Sequence, residues 1–145
     1  REAIDDEGWL HTGDIGEITP LKQLRIIDRK KAIFKLQQGE YIAPEKIENI
    51  YIKSRYAAQV WVYGDSLKHF LVAVVVPEFE QAVQLLDSGE EVTMETLCRS
   101  DQVKAGILND LVAIGQECGL KGFEQVKKLH LFGEIFSTDN NLMTP

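Results

Sequence analysis

Phe34-Lys35-Leu36-Gln37-Gln38-Gly39-Glu40-Tyr41-Ile42-Ala43-Pro44-Glu45-Lys46-Ile47-Glu48 passes from strand chemistry to helix chemistry within a few residues. Ile33 to Leu36 and Tyr41-Ile42 form a hairpin candidate with Gln37-Gln38-Gly39 at its turn, and Gly39 is the natural residue for a positive φ. Pro44 suits the first turn of a helix, where a missing N–H is no loss, and Glu45 and Glu48 lie well against the positive N-terminal dipole. Ile47, Ile50 and Tyr51 then recur at helical spacing and give that helix one apolar face.

Upstream, Gly8-Trp9-Leu10-His11-Thr12-Gly13-Asp14-Ile15-Gly16 sets an acid in a glycine-bracketed turn, after the turn chemistry of Asp5-Asp6-Glu7-Gly8. A short strand follows from Ile15 to Ile18, Pro20 interrupts it, and Leu24 to Asp28 reads as the returning strand. The basic cluster Asp28-Arg29-Lys30-Lys31 lies across this hairpin, so acid and base can face one small polyanionic ligand. Residues 1–27 show few apolar positions of their own and are expected to belong to a larger domain; alone they would expose strand edges.

Downstream, Ala58 to Tyr63 and Phe70 to Val76 are strands, with Gly64-Asp65-Ser66 opening the loop between them and Pro77 ending the second. Val72-Ala73-Val74-Val75-Val76 is apolar on both faces, as in a covered central strand. Phe79, Val83 and Leu86 form a helical stripe closed by Asp87-Ser88-Gly89. A further helix runs from Asp101, as N-cap, to Cys118, with Val103, Ile107, Leu111 and Ile114 as its stripe and Gly119 as its C-cap. Val126 to Phe132 is a last strand with Leu129 and Leu131 on one side, and Ser137 to Pro145 reads as a loose polar tail. The fold class is α+β: a small mixed sheet flanked by helices and preceded by β-hairpins.

At 145 residues the chain fits one domain, or one plus part of a neighbour. Its 16 Lys+Arg against 23 Asp+Glu give −7, which argues against nucleic acid or an anionic membrane surface as the main partner. A local cluster of Arg29, Lys30, Lys31 and Lys35 can still attract a nucleotide. Cys98 and Cys118 lack disulfide-scaffold or zinc spacing and are expected to be buried thiols on helices. No apolar run approaches the roughly 18 residues of a membrane span, and the chain opens at Arg1 without a signal-peptide pattern.

On residue chemistry alone, Asp14 is either a ribose-diol acceptor or the acid of an Asx-turn or helix cap. Arg29 is either a ribose or phosphate contact or the partner of Asp28 in a solvated hairpin. Glu48 reads as a structural first-turn acid. His11 has no Ser, Cys or acid placed to complete a triad, His69 and His130 are isolated, and no metal set is expected. The glycines match neither a P-loop nor a dinucleotide fingerprint.

The Thr12-Gly13-Asp14 and Asp28-Arg29-Lys30-Lys31 motifs, in this order and spacing, resemble signature motifs of the adenylate-forming (AMP-binding) superfamily. The Phe34–Glu48 string, Ala58-Gln59-Val60-Trp61-Val62-Tyr63-Gly64, Phe123-Glu124-Gln125-Val126-Lys127 and Asn141-Leu142-Met143-Thr144-Pro145 narrow the resemblance to eukaryotic-type long-chain fatty acyl-CoA synthetases. The resemblance covers nearly the whole chain.

It implies that residues 1–28 end the large adenylation domain, and that 29–145 form the small C-terminal lid domain, cut before the catalytic-lysine motif that follows Thr-Pro in the family. It also implies that Asp14, Arg29 and Lys35 bind nucleotide, that Lys31 is the hinge (where many relatives have Asp), and that Gly39 and Glu40 line the coenzyme A tunnel. No catalytic residue of the family falls within the chain, so by itself the chain is expected to be inactive. The implied partners are a large N-terminal adenylation domain, fatty acid, ATP with Mg2+, and coenzyme A; no nucleic acid is among them. The implied setting is intracellular and cytosol-facing, with membrane association at the endoplasmic reticulum, mitochondrial outer membrane or peroxisome only through regions outside this chain. The alternatives are another adenylate former with a different acceptor, or a non-catalytic nucleotide-binding or interaction module.

Overall fold

A computed structural model describes residues 3–86 and 92–143. Two antiparallel hairpins lead the chain, β1 (Asp14–Ile18) with β2 (Leu24–Arg29) and β3 (Phe34–Lys35) with β4 (Tyr41–Ile42). Helix α1 (Pro44–Tyr51) starts two residues later, with Pro44 in its first turn as the sequence predicts. Ala43 at its N-cap offers no side-chain acceptor. The buried carboxylate of Asp28 accepts from Glu45 N, seventeen residues on, at 3.0 Å instead, so the end of β2 caps this helix.

The main sheet has the order β5 (Ala57–Tyr63), β6 (Leu71–Pro77), β7 (Val126–Leu131). β5 and β6 are antiparallel, and β6 and β7 are parallel. A parallel neighbour needs a long crossover, here supplied by α2 (Phe79–Ala82), a 3-10 turn (Val83–Leu85), α3 (Met94–Arg99) and α4 (Asp101–Glu117). Helices α1 and α4 pack together and against the sheet. Their apolar stripes (Ile47 and Tyr51; Val103, Ile107 and Leu111) join Leu71, Ala73, Val75 and Val126 in one buried core. Tyr51 is fully enclosed, and its hydroxyl accepts from Val126 N at 3.1 Å, tying α1 to the start of β7. The expected α+β architecture is the one observed.

Several local expectations change. β6 is central, but only the face of Leu71, Ala73 and Val75 is fully buried; Val72 and Val74 on the other face are half-exposed. Ser100, not Asp101, caps α4, because its hydroxyl reaches Val103 N at 3.3 Å. Helix α3 carries Cys98, as the helical setting expected for that thiol requires, but its bounds were not signalled; Thr93 and Thr96 form its capping box, with threonine in the place where glutamate or glutamine gives the usual signal. Cys98 is half-buried, and burial pushes its thiol pKa up. Cys118 is exposed, since it follows the last turn of α4 rather than lying on its apolar stripe.

The tail is bonded through Met143: Asn140 accepts from Ser137 N at 3.0 Å and donates to Ile135 O at 2.9 Å, while Leu142 N and Met143 N both donate to Ser137 O. The stripe-closing Asp87-Ser88-Gly89 and the terminal Thr144-Pro145 lie outside the described residues.

Candidate functional site

Gly13 turns the chain into β1 with φ +79°, and a Cβ there would meet nothing within 4 Å. Backbone conformation, not space, therefore asks for glycine. Thr12 Oγ1 accepts from Asp14 N at 3.2 Å, and Lys30 N donates to Gly13 O at 2.8 Å, which fastens the turn to the end of β2. The β1–β2 register sets Asp14 directly opposite Arg29. A register shift between Ile15 and Gly16 leaves Ile27 as an extra residue on β2, a bulge beside the site.

The Arg29 guanidinium lies 4.0 Å from Asp14 Oδ1, at the outer limit of an ion pair, and both side chains reach solvent. Such a pair adds little stability and leaves both groups free to engage a ligand. Asp28 is not the partner of this guanidinium; its carboxylate takes the backbone N–H of Arg29 at 2.6 Å.

Asp14, Arg29, Lys30 and Lys31 line one cleft of about 970 Å³, with Asp5 and His11 on its wall. Three cations against two acids suit an anionic ligand with one hydroxyl-rich part. His11 corrects the sequence reading: its Nε2 lies 2.7 Å from Asp5 Oδ2, so it does have an acid partner. Asp5 also accepts from Trp9 N at 2.9 Å and Glu7 N at 3.0 Å. Those backbone N–H groups and the His11 bond hold its carboxyl below the ordinary aspartate pKa. The signal in sequence was an i, i+6 Asp/His pair across a glycine turn, a spacing that fits no secondary-structure period.

Lys35, Gly39 and Glu40 are not among the residues lining this cleft; they sit on the second hairpin. Gly39 has φ +95°, as its turn position requires. The turn is seated on the β5–β6 loop: Gln37 N donates to Lys68 O at 3.1 Å, and Gln38 Nε2 donates to His69 O at 3.1 Å. Gly64 makes the close approach possible, since a Cβ there would lie 2.4 Å from the Phe34 ring. Lys35 Nζ stands 5.4 Å over the Tyr41 ring and is otherwise exposed. Lys31 is exposed in the turn between the two hairpins.

Glu48 is structural, but not as the first-turn acid expected: Glu45 is the acid of the first turn of α1, and Glu48, one turn further on, ties the helix to β5. It accepts from Val62 N at 2.8 Å, and burial raises its pKa. The sequence reading named no site in an apolar groove of about 730 Å³, whose lining includes Gln59, Trp61, Val74, His130, Phe132 and Phe136.

Two hairpins, a helix and a small mixed sheet, with a Thr-Gly-Asp turn facing an Asp-Arg-Lys-Lys strand end, make this chain similar to part of the adenylation domains of adenylate-forming enzymes. The solved structures agree. The A domain of carboxylic acid reductase from Segniliparus rugosus, in complex with AMP and a co-purified carboxylic acid, matches with TM-score 0.78 and 31% identity, over 96% of this chain and 20% of that one. The adenylation domain of the carboxylate reductase from Mycobacterium chelonae matches with TM-score 0.80 and 30% identity, over 98% of this chain and 20% of that one. Within that class, the chain is homologous to the C-terminal part of the long-chain fatty acyl-CoA synthetases. It is 58% identical to long-chain-fatty-acid–CoA ligase 1 of Cavia porcellus over 99% of its length, and 55% identical to long-chain-fatty-acid–CoA ligase 6 of Homo sapiens over its full length. The chain spans 21% of the length of each of these relatives. No family model matches it.

Proposed function

We propose that the protein to which this chain belongs is an ATP-dependent long-chain fatty acid–CoA ligase, and that this chain closes over its nucleotide. The observation that carries the reading is the cleft in which Asp14 faces Arg29 across the β1–β2 register, on a chain 58% identical to such a ligase. In this reading residues 1–28 complete the large adenylation domain, residues 29–145 form the small lid, and Lys31 is the hinge between them. Asp14 accepts from the ribose hydroxyls of ATP and of acyl-AMP, and Arg29 contacts the ribose or the phosphate. A fatty acid and ATP give acyl-AMP and pyrophosphate; the lid then turns, and the coenzyme A thiol displaces AMP to form the thioester.

Lys35 supports the nucleotide, and the Gly39-Glu40 turn lines the path of the pantetheine arm. The open backbone of Gly39 and the firm seat of its turn on residues 64–70 support that assignment. The described residues hold no group of three or more His, Cys, Asp or Glu side chains placed to bind a metal ion. Magnesium would arrive with the phosphates of ATP and neutralise their charge.

No helix among the described residues is long and apolar enough to cross a membrane; attachment to an endoplasmic-reticulum, mitochondrial or peroxisomal membrane would be set elsewhere in the protein. A second reading keeps the adenylation and changes the acceptor, and it is favoured by the likeness to carboxylate reductase adenylation domains. The full-length protein should be given ATP, coenzyme A and palmitate, with acyl-AMP resolved from acyl-CoA. Palmitoyl-CoA is expected; acyl-AMP without thioester would transfer the protein to the second reading, and neither product would reject both.

A further inference from the structure

Asp5 and His11 form a side-chain pair that the roles assigned above leave unused, although both line the cleft of Asp14 and Arg29. The pair is solvated, with His11 two-thirds exposed, so it contributes little to holding the fold. What it does fix is the orientation of a ring. The Asp5 carboxylate is itself held by Glu7 N and Trp9 N, and it occupies His11 Nε2. The backbone at His11 is pinned as well, because its N–H donates to Ala3 O at 2.8 Å and Ile4 bridges Leu10. An imidazole bound through Nε2 to a carboxylate carries its proton there, and Nδ1 is the nitrogen left for another partner; once the ring is protonated, Nδ1 donates.

The cleft sorts its polar groups by chemistry. Asp14 is an acceptor suited to hydroxyls, whereas Arg29, Lys30 and Lys31 are donors suited to anionic oxygens. His11 joins the donors when the Asp5 carboxylate and a bound phosphate oxygen each take one of the two N–H groups of its imidazolium ring. Resting on the ligase reading for the identity of the nucleotide, we infer that His11 is a further nucleotide-contacting residue, donating from Nδ1 to a phosphate oxygen, with Asp5 as its positioning residue.

The test is competition by AMP and by adenosine for a fluorescent AMP analogue on the full-length protein, comparing wild type with His11→Ala, Asp5→Asn and Asp14→Ala. One charge-assisted hydrogen bond in a solvated cleft is worth roughly tenfold in affinity. His11→Ala should therefore weaken AMP by about tenfold and leave adenosine unchanged, with the melting midpoint also unchanged. Asp5→Asn should follow in the same direction with a smaller loss. Asp14→Ala should weaken both ligands, because both carry the ribose. Equal losses of AMP and adenosine in His11→Ala, or no loss of either, would overturn the assignment and leave the pair as a brace of the 5–11 loop. Failure of the wild-type protein to make acyl-AMP from palmitate, with this binding pattern intact, would remove the ligase reading and keep His11 as a phosphate contact.

Discussion

The segment from residue 3 to residue 29 and the body from residue 44 to residue 131 use their apolar side chains in opposite ways. In the body, Ile47, Tyr51, Leu71, Val75, Ile107 and Leu111 are completely enclosed. In the leading segment, Ile4, Trp9, Leu10, Ile18, Leu21, Leu24 and Ile26 are all exposed, Trp9 at 68% and Leu21 at 80%. The sequence reading expected few apolar positions there, and this is corrected: the positions exist, and nothing in the described chain covers them. Exposed apolar side chains in such a run mark an interaction surface. The same segment carries Asp14 and the cleft. The body folds around its own core, while the leading segment carries the candidate site on an open surface.

That contrast predicts where substitutions act. Asp14→Ala, with no part in the core, should raise the apparent Michaelis constant for ATP by roughly 10²–10⁴ in the full-length protein, from two lost charge-assisted hydrogen bonds, with the melting midpoint unmoved. A normal constant would sink the ribose assignment. Gly39→Leu tests the hairpin between the two regions. It should slow thioester formation by about tenfold or more while sparing acyl-AMP formation, because crowding a coenzyme A path affects the second half-reaction alone; equal losses in both would contradict the role.

Gly64→Ala acts on the body. A new methyl would fall 2.4 Å from the Phe34 ring and 2.7 Å from Leu71. Overpacking of this kind costs about 1–3 kcal/mol and should lower the melting midpoint by several degrees; an unchanged midpoint would mean the second hairpin is not seated where described.

The smallest effect concerns Glu124. Burial pushes its pKa up, but the Lys46 ammonium at 2.6 Å and the Lys121 N–H at 2.8 Å outweigh burial and hold it below the usual glutamate value. A depressed carboxylate contributes stability above its unfolded pKa and loses it as pH falls through the folded one. The wild-type melting midpoint should therefore fall on acidification below about pH 4.5, and Glu124→Gln should flatten that fall. Parallel curves for the two proteins would remove Lys46–Glu124 as a pH-linked tie between α1 and the start of β7.

The body was largely legible because its signals are periodic and local. The stripe of Val103, Ile107 and Leu111 and the hairpin turn at Gly39 both lie where the sequence put them. What escaped depended on partners distant in sequence or on chemistry without a period. Asp28 caps α1 across seventeen residues, Asp5 meets His11 across a glycine turn, and Asn140 gathers the tail backbone that composition alone marked as loose. Of the candidate site, the facing of Asp14 and Arg29 followed from the hairpin between them, since strand register is a local property. The separation of Lys35, Gly39 and Glu40 from that cleft did not, because it depends on where the Gln37-Gln38 turn meets Lys68 and His69.

The most direct test is a crystal structure of the full-length protein with AMP. The account predicts both ribose hydroxyls within about 2.6–3.2 Å of the Asp14 carboxylate, in the cleft opposite Arg29. AMP bound elsewhere, with Asp14 facing only solvent, would contradict it.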